Sequence, residues 1–288
     1  MNTPDWQTAL RGLLKESECV DEAAALLIDQ RRRYTGQADM VVQPHSVAAV
    51  QAVMKFCHEH RIPVTPQGGN TGLCGAAVPV GGVLLNLSKL NRIRKLNLAD
   101  NAITVEAGCV LQTVQQAAAD VDRLFPLSLA SEGSCQIGGN LACNAGGVNV
   151  VRYGTMRDLV LGLEVVLPGG ELLTQLQPLH KNTNGYDLRH LFIGSEGTLG
   201  IITAATLKLS ALPRTVEAAW VGVASIEQAV ELLTWVQGRF AERLGSFELI
   251  SRFALQLSAE FSQLNAPLDA DWHVLLELTD SVAREDLG

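Results

Sequence analysis

Between Pro66 and Gly75 the chain reads Pro-Gln-Gly-Gly-Asn-Thr-Gly-Leu-Cys-Gly, with four glycines in the eight residues from Gly68. Without Cβ atoms, the backbone here can curl tightly and let a ligand approach its N–H groups. The segment therefore suits an anion cradle, and Asn70 and Thr71 add neutral donors. A pyrophosphate is the natural guest. No Lys-Ser or Lys-Thr follows, which excludes a P-loop. The loop also runs into Pro79 and Gly81-Gly82 rather than into a helix, which speaks against a Rossmann fingerprint.

Two later segments have the same character. Ser131 to Gly147 reads SEGSCQIGGNLACNAGG and is followed by Arg152-Tyr153-Gly154. Its small and amide-bearing residues let a planar or extended ligand lie close to the backbone without formal charge. The third segment, Gly194 to Ile202, is a glycine turn entering a strand. Each alone reads as a tight turn. Three of them, in a chain with 26 glycines, point to one large ligand shared among them.

The surrounding pattern alternates short helices and strands. Apolar residues at helical spacing (Leu10, Leu13, Leu14, then Val20, Ala24, Leu27, Ile28) predict one or two amphipathic helices at the start. Ser46 is a candidate N-cap for a helix carrying Val47, Val50, Val53, Met54 and Cys57, which ends before Ile62-Pro63 and the strand Val64-Thr65. Strands are expected at 83–87, 102–106 and 198–209, with a helix at 110–119. Pro168-Gly169-Gly170 signals a hairpin joining 159–167 to 171–174. Antiparallel pairing beside alternating elements favours an α+β class over a doubly wound parallel sheet.

After Pro213 the glycine-rich loops stop. Strand 218–223, helix 226–244, strand 247–250, helix 253–261 and strand 273–278 then form a β-α-β-α-β unit with no obvious closure. A capped helix is expected to begin at Asp280. Either the chain is truncated or this domain is unusually small.

With 288 residues, 47% of them hydrophobic and 18% charged, the chain can hold two compact units, since single cores seldom grow past about 250 residues. A formal charge of -8 argues against a nucleic-acid partner. The Arg31-Arg32-Arg33 run reads as a solvated face. The six cysteines form no CxxC pair, and Met1–Gly12 carries Asp5 and Arg11 without an apolar core, so reduced thiols in a cytoplasmic setting are expected. No stretch approaches the roughly 20 apolar residues of a membrane span. His58 and His60 fall on different faces of a helix, and His45, His180, His190 and His273 are scattered singly, so no metal site is expected.

The motifs PQGGNTGL, GSCQIGGN, NAGG, YDLRHLFIGSEGTLGIIT and SFEL resemble those of the vanillyl-alcohol-oxidase (PCMH-type) FAD flavoproteins, within which the likeness is to the D-2-hydroxyglutarate and D-lactate dehydrogenase branch. It runs from about Tyr34 to Leu278. The resemblance implies an N-terminal helical segment at 1–33 and a two-subdomain FAD-binding domain at 34–213. The start of a ferredoxin-like substrate cap, truncated on this reading, would occupy 214–288. It implies that Pro66, Gln67, Gly68, Gly69, Asn70, Thr71, Gly72 and Leu73 hold the FAD pyrophosphate. Gly133, Ser134, Gly138, Gly139, Asn140 and Asn144 would lie along the isoalloxazine and ribityl parts. Gly200 and Ile201 would lie near the adenosine end, with Glu196 shaping that turn.

Asn70 stands where covalently flavinylated relatives have histidine, so the implied FAD is dissociable. Cys135 is a second possible attachment point or a small packing residue. Arg152 and Tyr153 could face the flavin or brace the loop. The metal-binding motif of the family's C-terminal part, GHxGDGNxH-like, is absent from this chain. A divalent metal would belong only to that missing region, and no catalytic residue is assigned.

The expected function is oxidation of a small D-2-hydroxy acid, with an acceptor protein or a quinone taking the electrons. Alternatives are the flavin subunit of a glycolate oxidase complex, disfavoured because that group has an Arg-Gly-Ala-Gly-Thr-like first loop, and an FAD-binding module inactive for lack of the C-terminal region. A protein that kept the fold and lost the cofactor would show bulky or charged substitutions in the glycine loops, and none is present. An incomplete cap would expose apolar surface and favour homo-oligomers.

Overall fold

In the computed structural model, which describes residues 6–263 and 267–283, the chain divides into two compact units. One comprises the chain up to Phe125 together with Ala130–Ala145 and Met156–Ser210; the other comprises Pro126–Leu129, Gly146–Thr155 and the chain from Ala211.

The first unit contains a parallel three-stranded sheet in the order Met40–Val42, Val83–Asn86, Val64–Gln67. Helix Val47–His60 connects two of these strands. Ser46 caps it by accepting a hydrogen bond from the Ala49 N–H, and Arg61 ends it in the left-handed conformation at φ 55°. Val50, Val53, Met54, Phe56 and Cys57 pack with Met40, Val42, Val83 and Leu85 into one core. Burial of roughly 1.5–3 kcal/mol per such side chain fixes the helix on the sheet.

A five-stranded antiparallel sheet follows the order Ile93–Asn97, Ala102–Glu106, Ile201–Lys208, Val160–Val166, Leu172–Gln175. The α+β class holds, with the parallel sheet confined to three strands. Val160–Val166 is buried along its whole length and Ile201–Lys208 along all but its last residue, so both faces of the sheet are covered. The charges admitted there are paired: Arg94 bonds both Glu106 (3.2 Å) and Glu164 (3.0 Å), and Thr203 donates to Glu164.

The opening segment differs from its helical spacing. Only Trp6–Arg11 is α-helical; two single 3₁₀ turns follow at Glu16–Glu18 and Ala24–Leu26. Between them Cys19 bridges Val42, and the Val20 N–H bonds the Val41 carbonyl. Pairing with the sheet edge satisfies backbone groups that a second helix would have satisfied internally.

The second unit is a split β-α-β arrangement, all antiparallel, with Trp272–Asp280 between Thr215–Val223 and Leu244–Ser251. Its core gathers Ala229 and Val236 of helix Ile226–Phe240 with Leu244, Val274 and Leu276. That helix stops four residues earlier than its pattern suggests, and the strand after it begins at Leu244 rather than Phe247. Helix Arg252–Ser262 buries no residue, and Phe253, Leu257 and Phe261 are exposed. Asp280 ends a strand and accepts from the Val282 N–H. The rest of the helix expected from Asp280 lies outside the described residues.

Candidate functional site

Strand Val64–Gln67 delivers the first glycine loop, and a buried amide network holds it. Gln67 donates to the carbonyls of Leu26 (2.8 Å) and Ala77 (3.0 Å), and its Oε1 accepts from Asn86 at 2.9 Å. Asn86 also donates to the Gly68 carbonyl (3.2 Å) and accepts from Gln43 at 3.0 Å. The Gln67 side chain is thus spent on scaffolding. Asn70 sits at φ 53° and its amide donates to the Ile28 carbonyl at 2.8 Å. From Gly69 to Leu73, no backbone N–H donates to a backbone carbonyl among the described residues. Successive unpaired N–H groups on a turning backbone present partial positive charge to an anion.

The second segment leads into the short helix Ile137–Ala142. The N–H groups of Ile137 and Gly138 bond the carbonyls of Cys109 (3.0 Å) and Ala107 (2.7 Å). Asn140 is buried and turns its amide to the Cys135 sulfur (3.5 Å), while Asn144 accepts from the Arg157 N–H at 2.9 Å. Cys135 is itself buried, in keeping with a packing role. Cys143 is exposed at the surface; partial desolvation, then the nearby Glu196 carboxylate and Cys74, push its thiol above its ordinary range.

The third segment locks the other two together. Gly194 and Glu196 donate to the carbonyls of Leu141 (3.0 Å) and Ala142 (2.9 Å), satisfying the end of the short helix. Glu196 adopts φ 51°, which makes the turn. Gly197, at φ 78°, lies so near the first loop that a Cβ there would stand 2.4 Å from Pro66 Cγ. Gly69 faces the second segment just as closely, since its Cβ would stand 2.1 Å from the Ser134 carbonyl oxygen. The three segments therefore touch in a closed ring within one unit.

Other expected site residues divide between walls and open space. Ile201 is buried in the core, and Gly200 packs on Val165 and Val166. Gly133 stands near Gln112 Oε1 (3.5 Å from its would-be Cβ), whereas Gly72 and Gly139 face open space, with nothing within 4 Å. Leu73 is exposed. Arg152 and Tyr153 belong to the second unit, where Arg152 donates to the Thr279 carbonyl (3.2 Å) and hydroxyl and lies over the Tyr153 ring. Both brace that unit.

Sequence reasoning missed Gln43 and Asn86. An asparagine inside the apolar run Val83–Leu87 was the available signal, since a buried amide needs partners. No group of three or more His, Cys, Asp or Glu able to hold a metal occurs among the described residues. No described helix is long and apolar enough to cross a membrane.

A row of neutral N–H donors, close approaches at Gly69 and Gly197 that leave no room for a Cβ, and open space beside Gly72 and Gly139 fit a dinucleotide such as FAD. The family described as FAD binding domain matches residues 38–175. The chain is 36% identical over 274 residues to the D-2-hydroxyglutarate–pyruvate transhydrogenase of Saccharomyces cerevisiae, covering 94% of this chain and 55% of that protein. It is 37% identical over 261 residues to the mitochondrial D-2-hydroxyglutarate dehydrogenase of Danio rerio, covering 90% and 49% respectively. The chain thus spans about half the length of the curated relatives it matches. The solved structure of alkyldihydroxyacetonephosphate synthase superposes with a TM-score of 0.80 at 20% identity, over 97% of this chain and 56% of that one, a likeness of fold. The family match and the interlocked glycine segments agree that residues 38–175 form an FAD binding domain.

Proposed function

We propose that this chain is the flavin-binding part of a dehydrogenase that oxidises a D-2-hydroxy acid, of the 2-hydroxyglutarate or lactate class, to the 2-oxo acid. The observation that carries the reading is the closed ring of glycine segments with its unpaired N–H row, in a chain whose relatives at 36% and 37% identity are named for D-2-hydroxyglutarate. Bound FAD supplies the two-electron acceptor for the hydrogen on the substrate's hydroxyl-bearing carbon.

The chain's own residues bind and orient. The N–H groups of Gly69 to Leu73, which bond no backbone carbonyl, would hold the pyrophosphate, and the open space at Gly139 would leave room for the extended part of the cofactor. The cofactor is held without a covalent bond, because Asn70 is not a nucleophile and Cys135 is buried. An acceptor protein or a quinone takes the electrons. Six free cysteines suit a reducing compartment such as the cytoplasm. The exposed Phe253, Leu257 and Phe261 favour self-association, which light scattering at rising concentration would register.

The test is the visible spectrum of the purified chain with FAD, followed by anaerobic addition of D-2-hydroxyglutarate, D-lactate and glycolate in turn. Bleaching by one acid establishes the activity and the substrate together. Bound flavin that no acid bleaches would reduce the chain to a binding module, and failure to bind FAD would overturn the reading.

A further inference from the structure

We propose that Gln136 is a specificity contact for the cofactor, its carboxamide oxygen accepting a hydrogen bond from a sugar hydroxyl of FAD beside the pyrophosphate. The inference rests on the reading of the glycine-lined cradle as the FAD site. Gln136 immediately precedes helix Ile137–Ala142 and is 8% exposed. Its Oε1 is buried without a hydrogen-bond partner, and no other buried side-chain nitrogen or oxygen among the described residues is in that state. The amides around it are all engaged: Gln67 with Leu26 and Ala77, Asn86 with Gln67, Asn140 with Cys135. A buried carbonyl left unpaired forfeits its hydration for nothing, so a solitary case in a site marks a group that completes its bonding with a ligand.

Its location says which kind of ligand group. Oε1 lies 3.3 Å, and the Gly139 nitrogen 3.7 Å, from the point where a Cβ on Gly68 would sit, next to the N–H row of the first loop. A carbonyl oxygen repels phosphate oxygens and needs an O–H or N–H donor. In FAD, the donors flanking the pyrophosphate are hydroxyls, those of the ribityl chain on one side and of the adenosine ribose on the other. The cradle therefore pairs N–H donors for the phosphates with one acceptor for a sugar. That combination recognises a nucleotide rather than a bare phosphate.

The experiment titrates the wild-type chain and Gln136→Met with FAD, ADP and FMN by flavin fluorescence and calorimetry, and melts both chains without ligand. Methionine keeps the length of the side chain and removes the acceptor. The FAD dissociation constant should rise about fivefold to tenfold, as for the loss of one neutral hydrogen bond. The ligand-free melting temperature should hold or rise, because an unpaired carbonyl has left the interior. A parallel loss for ADP assigns the ribose hydroxyl and a parallel loss for FMN the ribityl hydroxyl; either supports the proposal. It is overturned by unchanged FAD affinity, by a loss for FAD with none for either fragment, or by a lowered ligand-free melting temperature, which would mark a structural role. A wild-type chain that binds no FAD would overturn the functional reading instead.

Discussion

Replacing Gly69 by alanine tests the interlock on which the candidate site depends. The added Cβ would stand 2.1 Å from the Ser134 carbonyl oxygen, 3.1 Å from its carbonyl carbon and 3.2 Å from Cys135 Cα, all backbone atoms that cannot rotate away. Reaching even 3.0 Å from the oxygen requires the first and second segments to part by about 0.9 Å, the difference between 3.0 and 2.1. Overpacking of this kind costs about 1–3 kcal/mol. At about 2–4 °C per kcal/mol for a chain of this size, the melting temperature falls by several degrees.

The same displacement takes an N–H donor from about 2.9 Å to beyond hydrogen-bonding range of a bound phosphate. Losing one such charged contact, worth about 1.5–3 kcal/mol, weakens FAD binding roughly tenfold to hundredfold. Calorimetric titration with FAD and scanning fluorimetry with and without it measure both effects. A Gly69→Ala chain that melts and binds FAD as the wild type does would refute the close approach of the two segments and the site built on it.

Further outcomes follow from single residues. Gly139→Ala, in a short helix with open space around the new methyl, should hold or raise ligand-free stability yet weaken FAD binding, whereas Gly238→Ala, equally open but in helix Ile226–Phe240, should stabilise by up to about 1 kcal/mol with FAD affinity unchanged; denaturant melts and titrations separate the two. Arg152→Ala should lower the stability of the second unit and leave FAD affinity alone, since its partners are Thr279 and Tyr153; a large loss of FAD affinity would contradict the bracing role. Burial raises the Glu106 pKa, but hydrogen bonds from Arg92 and Arg94 outweigh it, so the folded value lies below the ordinary 4.5. Its stabilising contribution is therefore complete above that value and is lost as pH falls through the depressed one. Melting temperature followed downward from pH 6 should drop less steeply in Glu106→Gln, though from a lower starting point, and an unchanged slope would count against the ion pairs.

Where a local signal and the tertiary environment agree, the sequence was sufficient. Ser46 before an apolar face at helical spacing yields a capped helix at Val47–His60, and Pro168-Gly169-Gly170 between two apolar runs yields the antiparallel pairing of Val160–Val166 with Leu172–Gln175. The glycine clusters themselves marked where the three segments meet, because no other residue type lets backbone approach backbone so closely. Yet the opening segment shows how spacing misleads. Leu13 is exposed and Val20 joins the sheet edge, since a bridge from Cys19 to Val42 competes successfully with a short helix.

What the sequence determined by itself was the list of segments, their chemistry and the family likeness, all of which reside in residue types at fixed local spacing. Only the tertiary structure decided that Gly69 meets Ser134 and Gly197 meets Pro66, that Gln67 and Asn86 brace the loop from behind, and that Arg152 and Tyr153 belong to another unit. These are contacts between residues far apart in the chain. Nothing local in a glutamine or an asparagine says whether its amide will face water, a carbonyl or a ligand; that is settled by which groups the rest of the fold leaves unpaired.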